Sequence, residues 1–162
     1  RDIIRKSKTN NILEVGGVLR HYSPMLPGEV LDKFEKGEGI INEDAITYNP
    51  IRKYDLIVSI STLEHVGFDD DIKDPDGIIK ALNNLKIRCL NKNGKIVITI
   101  PIGYNRYVDA HLCSGKLSFT KETYFKKVRF NRWREVSKEE AINIRYGPHC
   151  ANAIVVGIIQ NQ

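Results

Sequence analysis

Apolar runs along this chain are short, and most of them end at a glycine, a proline or an acid. Asn11-Ile12-Leu13-Glu14-Val15 stops at Gly16-Gly17 and predicts a buried strand entering a tight turn. Glu29-Val30-Leu31-Asp32 predicts a second, weaker strand, and Gly39-Ile40-Ile41 a third. Tyr54 to Ile60 is clearer. Its unbroken Leu56-Ile57-Val58 suits a strand buried on both faces of a parallel sheet. Asp74-Pro75-Asp76 then opens a helix, with Asp74 as its cap and Pro75 at its first position. Ile78, Leu82, Leu85 and Cys89 keep helical spacing, and Asn91 to Gly94 stops the element. Lys95 to Ile100 is a fifth strand, closed by Pro101.

After Pro101 the pattern is looser. Ile102 to Ser118 reads as a loop, and Thr120 to Lys127 as a short helix capped by Thr120. Arg132 to Val136 and Ala153 to Ile159 read as strands, while Lys138 to Ile144 fits either state. Strands alternating with helical or loop crossovers predict an α/β sheet, mostly parallel. The last two strands leave no room for a long helix between them, so they are expected to pair antiparallel at one edge. No repeat or linker divides the chain, and residues 1–162 read as one domain.

Composition narrows the class. With 41% hydrophobic and 28% charged residues, the chain is that of a folded globular protein. No apolar run reaches the ~20 residues of a membrane span. Three scattered cysteines make no disulfide framework, which with the charged start Arg1-Asp2-Ile3-Ile4-Arg5-Lys6 predicts a cytoplasmic setting without a signal peptide. The absence of an initial Met fits an excised domain or a trimmed product. A net charge of +5 permits anionic partners without demanding nucleic acid. The densest basic stretch, Lys116 to Arg134, reads as a solvated surface rather than an RNA track. Trp133, Tyr124, Phe125 and Phe130 within it are expected in the core.

Ligands of open α/β sheets bind beyond the carboxyl ends of the strands. There this sequence places Gly16 and Gly17, then Asp32, then Glu43-Asp44-Ala45, then Ser61-Thr62-Leu63-Glu64-His65, and finally Pro101 to Tyr104. Glycines let a ligand approach the backbone. An acid ending the second strand can accept both hydroxyls of a ribose. An acid after the third can accept from an adenine amino group. A dinucleotide site would want G-x-G-x-x-G, which Gly16-Gly17-Val18-Leu19-Arg20-His21 does not supply.

Taken in order, Ile12 to Gly17, Asp32, Glu43-Asp44-Ala45, Tyr54 to Val66 and Asn93 to Pro101 resemble the class I S-adenosylmethionine-dependent methyltransferases, nearest the small-molecule group called type 11. The resemblance covers residues 10–101 well and the remainder more loosely. It implies a Rossmann-like seven-stranded sheet, mostly parallel, with an antiparallel C-terminal edge strand and a reduced N-terminal cap. It implies S-adenosylmethionine as cofactor. Glu14 would orient backbone near the methionine part, Gly16 and Gly17 would make the close turn, and Asp32 would hold the ribose. Asp44 and Ala45 would meet the adenine, and Ser61 and Thr62 would line the wall. Only Gly16 matches the family's glycine pattern strictly. Val18 and Arg20 stand where further glycines usually do, and Pro24 and Pro27 allow the segment from Val18 to Met25 at most a turn or two of helix.

The implied reaction is methyl transfer, with O-methylation of a small molecule, sugar or glycan expected. An oxygen acceptor benefits from a general base, and His65 and His111 both fall on the catalytic edge, with Tyr104 and Glu64 as alternatives. No Asn/Asp-Pro-Pro-aromatic run or Pro-Cys pair follows the fourth strand, which sets nucleobase methylation aside. His111, Cys113, His149 and Cys150 lack zinc-motif spacing, and no metal is expected. Two further functions stay open: a non-catalytic or partner-dependent cofactor-binding domain, and, with less support, an RNA methyltransferase. A homo-oligomer is compatible with the reduced cap.

Overall fold

The computed structural model describes residues 9, 11–22, 28–129, 132–148 and 150–161. Its first half is a parallel sheet. β1 (Ile12–Val15) is buried at all four positions, and it lies between β2 (Glu29–Leu31) and β4 (Tyr54–Ile60), parallel to both. β3 (Ile40–Ile41) adds to β2. β5 (Leu90–Pro101) runs parallel to β4, with a register shift between Tyr54 and Leu56. Leu13, Leu31, Ile57, Ile96 and Ile98 are shut off from solvent, as a sheet covered on both faces requires.

The second half is antiparallel. β6 (Lys121–Arg129), β7 (Arg132–Val136) and β8 (Ala153–Gln160) complete the order β3-β2-β1-β4-β5-β8-β6-β7. The Rossmann-like, mostly parallel sheet is therefore present, with one strand more than expected. The final strand is not at the edge. β8 lies between β5 and β6, antiparallel to each, and the edge is β7. Chemistry explains the exchange. Ala153 to Ile159 is apolar on both faces and suits the interior, whereas Arg132-Trp133-Arg134-Glu135 is polar, as an edge should be.

Two further segments differ from expectation. Thr120 does not cap a helix. Its N–H donates to Ile158 O, and its Oγ1 accepts from Gln160 N, which opens β6 instead. Thr123, Tyr124, Phe125 and Val128 favour the strand, and pairing with β7 and β8 settles it. The expected loop after Pro101 holds a helix over Arg106–Ser114. Asn105 caps it by accepting from Tyr107 N and Val108 N, and Gly115 closes it at φ +76°. Trp133 is 40% exposed on the edge strand rather than in the core, while Tyr124 is buried. Phe130, Pro24, Pro27 and His149 lie outside the described residues.

In chain order the helices are α1 (Val18–Tyr22), α2 (Gly77–Asn84), α3 (Arg106–Ser114) and α4 (Lys138–Ile142). α2 begins two residues later than the Asp74-Pro75 signal suggests, because Asp74 turns back to accept from Asp76 N. Its apolar face, Ile78, Leu82, Leu85 and Cys89, is buried as read, and a widened turn over Leu85–Cys89 leads into β5. Among the described residues, 143–148 and 150–152 hold no helix or strand. Among the described residues, no helix is long and apolar enough to cross a membrane.

Candidate functional site

Beyond the carboxyl ends of β1, β2 and β4 lies a cavity of about 450 Å³. Its floor is the turn after β1. Gly16 adopts φ +98° and Gly17 φ +60°. A Cβ on Gly16 would fall 2.0 Å from Thr62 Oγ1, so only glycine lets the turn pass under the β4 loop. Glu14 is buried behind this turn and accepts from the Leu19 N–H. Burial raises its pKa, against the opposing effect of that bond. It holds the turn to the start of α1 and does not line the cavity. Gly17 likewise shapes the turn from behind.

Asp32 ends β2 at the cavity wall. Its Oδ1 accepts from Phe34 N at 2.8 Å and Glu35 N at 2.7 Å. These bonds fix the carboxylate and leave Oδ2 for another donor. Asn42, whose role the sequence did not reveal, braces this loop by donating to the carbonyls of Asp32, Lys33 and Glu35. Asp44 and Ala45 form the next wall, with Asp44 Oδ1 accepting from Ile46 N at 2.8 Å. Ser61, at φ +48°, and Thr62 complete the lining beneath β4. Lys33, also missed, sits at the rim. Its Nζ pairs with Asp44 at 3.0 Å and Asp70 at 2.7 Å.

His65 closes one end of the cavity. Its Nδ1 bonds Asp69, and the Tyr104 hydroxyl lies 3.1 Å from the same nitrogen. Tyr104 also donates to Asp69 Oδ2 at 2.7 Å. Burial pushes Asp69 up, but the bonds from His65 and Tyr104 outweigh it and hold the carboxyl below its ordinary range. Desolvation and Asp69 push the Tyr104 hydroxyl up to about 12, so it stays a donor. Asp69 stands four residues after His65, on the same turn, and that spacing was the available signal. Beneath them Glu64 is buried with neither oxygen hydrogen-bonded, 3.7 Å from His65 Nε2. Burial raises its pKa to about 8.

The other predicted residues lie elsewhere. His111, on α3, reaches the Pro75 carbonyl at 2.9 Å and Asp76 at 3.1 Å, and does not line the cavity. Cys113 is exposed, and Cys150 accepts from Lys127 Nζ at 3.4 Å. In the basic stretch, Lys126 and Arg134 both pair with Glu140, which lowers its free positive charge.

No family model and no curated protein matches the chain. Solved structures do resemble it. The N-methyltransferase NodS from Bradyrhizobium japonicum, in complex with S-adenosyl-L-homocysteine, is 12% identical, with a TM-score of 0.56 over 99% of this chain and 86% of its own. A SAM-dependent methyltransferase from Archaeoglobus fulgidus is 16% identical, with a TM-score of 0.54 over 99% and 92%. An rRNA methylase from Streptococcus thermophilus is 14% identical, with a TM-score of 0.53 over 99% and 93%. Identities this low speak for the fold: the chain has the class I methyltransferase fold.

Proposed function

We propose that the chain is an S-adenosylmethionine-dependent methyltransferase acting on a hydroxyl of a small molecule or glycan. One observation carries this reading, the charge of the cavity. Among the described residues, Asp32, Glu43, Asp44, Asp69 and Asp70 line it, against the single lysine Lys33. Five carboxylates would repel the phosphates of ATP or NAD. They suit a nucleoside whose other end is a cationic sulfonium. The residues fit that molecule in order: Asp32 Oδ2 for the ribose hydroxyls, Asp44 and Ala45 around the adenine, Gly16 for close approach, and Ser61 and Thr62 along the wall.

The bound donor would supply an already activated methyl group, so the protein's task is alignment and removal of the acceptor's proton. His65 is the base in this reading. Asp69 fixes the tautomer by accepting at Nδ1, which leaves Nε2 as the proton acceptor. Tyr104 braces both partners. Glu64, held neutral by burial, leaves the imidazole free to gain charge in the reaction. We assign His111 a positioning role, tying α3 to the start of α2, and Glu14 the same role at the β1 turn.

Calorimetric titration with S-adenosylmethionine, S-adenosylhomocysteine, NAD and ATP tests this. The first two should bind in the micromolar range and the last two should not. Asp32→Asn keeps an oxygen for the loop amides. It should still weaken S-adenosylhomocysteine by about 10- to 100-fold, the range for a lost hydrogen bond to a charged group. Tighter binding of NAD, or an Asp32→Asn variant that binds as the parent does, would defeat the assignment.

A further inference from the structure

On the far side of the His65–Tyr104 contact lies a second hollow, of about 320 Å³. Phe68, Tyr104 and Tyr107 form its walls, and Lys73, Arg106 and Asp109 its polar margin. We propose that this hollow is the acceptor site, and that its ligand is an anionic sugar, a pyranose carrying a carboxylate or a phosphate. The proposal rests on the methyl-transfer reading above for the reaction, but not for the binding.

The walls are built to hold a ring. Phe68 meets Tyr104 edge-on at 5.6 Å and Tyr107 at 6.2 Å, so the three aromatics brace one another. Tyr146 supports Tyr104 from behind at 5.4 Å. Aromatic faces of this kind pack well against the C–H faces of a sugar. The margin is cationic. Lys73 Nζ donates to the Phe68 carbonyl at 2.6 Å, which leaves two of its three donors. Arg106 stacks over Tyr107 at 4.9 Å, and its Nη2 donates to the Tyr107 hydroxyl at 3.0 Å. A stacked guanidinium keeps its other N–H groups for a planar anion.

Among the described residues, no carboxylate lies within ion-pair distance of either cation, and Lys73 acts on Asp69 and Asp70 only at longer range, lowering both carboxyls. Among the described residues the hollow holds one acid, Asp109, and both of its oxygens accept from Gly103 N at 3.1 Å. A neutral acceptor would leave the remaining donors of both cations facing the hollow without an anion. A nucleic acid would need a track of cations along successive phosphates, and this hollow is the size of one substituted ring.

Position links the hollow to the chemistry. Tyr104 lines it, while His65 and Asp69, bonded to Tyr104, line the donor cavity. A sugar held against Tyr104 must extend a hydroxyl past it to reach His65 Nε2, the nitrogen that Asp69 leaves free. The hydroxyl oxygen bonds the methyl carbon as the sulfur–carbon bond breaks, its proton passes to His65, and the donor leaves as the neutral thioether.

The test is ligand-observed NMR on the full chain, with and without saturating S-adenosylhomocysteine. The probes are glucuronic acid, glucose 1-phosphate and glucose. At least one anion should bind ten or more times more tightly than glucose. Lys73→Gln combined with Arg106→Gln should erase that preference while S-adenosylhomocysteine binding stays within about twofold. Both residues are exposed, so the variant should fold, and circular dichroism checks it. A stronger response from glucuronic acid points to a sugar acid, and one from glucose 1-phosphate to a glycosyl phosphate. Equal binding of all three, a preference that survives the double variant, or displacement of the probes by poly-uridylate would overturn the proposal. Sugar binding without any S-adenosylhomocysteine binding would keep the sugar site and remove the methyl-transfer reading.

Discussion

The two halves of this sheet bury their strands in different ways. In the parallel half, β1 is buried at every position, with Glu14 its one polar residue, and the centre of β4 is apolar, so most polar residues fall at the carboxyl ends. The 450 Å³ cavity opens there, and every described residue that lines it precedes Asp71. In the antiparallel half, β6 and β7 are mostly half-buried or exposed, and their charges pair with one another's neighbours, as Lys126 and Arg134 do with Glu140. Irregular features in the first half therefore read as functional, and those in the second as structural.

The largest effect should come from a pair of glycines, one in each half. A Cβ at Gly16 would strike Thr62 at 2.0 Å, at a φ of +98°. A Cβ at Gly157, on β8, would strike the Phe119 ring at 2.5 Å. Both alanine variants should lose stability, by about 2–3 kcal/mol, from overpacking and, at Gly16, backbone strain. Only Gly16→Ala should also abolish S-adenosylhomocysteine binding at temperatures where the variant is folded. If Gly157→Ala weakens binding as much, the division between the halves breaks.

Glu64 comes next. Its pKa is raised from 4.5 to about 8 by burial, so the folded state binds its proton more tightly than the unfolded chain does. That contribution is complete below about pH 4.5 and is lost as pH rises through about 8. Glu64→Gln removes the titration. The parent should therefore lose stability relative to this variant between pH 5 and pH 8, by a few kcal/mol on the order of the linkage. Calorimetric melting across that range reads the difference. A constant gap between the two proteins would mean that Glu64 is ionised in the fold.

Legibility in the sequence follows the same division. β1, β2, β4 and β5 could be read because continuous apolar runs ending at glycine, acid or proline have few alternatives. The common place of Asp32, Asp44, Ala45, Ser61 and Thr62 at one cavity could be read too, since topology alone carries strand ends to one edge. β6 could not be read that way. Its Lys121-Glu122-Thr123-Tyr124-Phe125-Lys126-Lys127 mixes both periods, and pairing with β8 some thirty residues later decides it. The interior place of β8 is likewise a matter of pairing, although its apolar faces hinted at it. Lys33 joins the site through contacts between loops, which no local pattern encodes, and although Tyr104 could be read at its strand end, its bond to Asp69 could not.

The smallest effect tests the charge argument most directly. Among the described residues, Lys33 is the one lysine or arginine lining the cavity proposed for the donor, and it is partly exposed, so its pairs with Asp44 and Asp70 should contribute under about 1 kcal/mol to stability. Lys33→Ala makes the cavity more negative. S-adenosylmethionine differs from S-adenosylhomocysteine by a methyl group and a positive charge, so the variant should bind the former relatively better, by roughly two- to fivefold at low salt. In 1 M salt, where the screening length falls to about 3 Å, the gain should shrink towards nothing. Lys126→Ala removes an equal charge from the antiparallel half and should leave the ratio unchanged. A ratio that ignores Lys33, or responds equally to Lys126, would mean that the acidic cavity is not where a sulfonium sits.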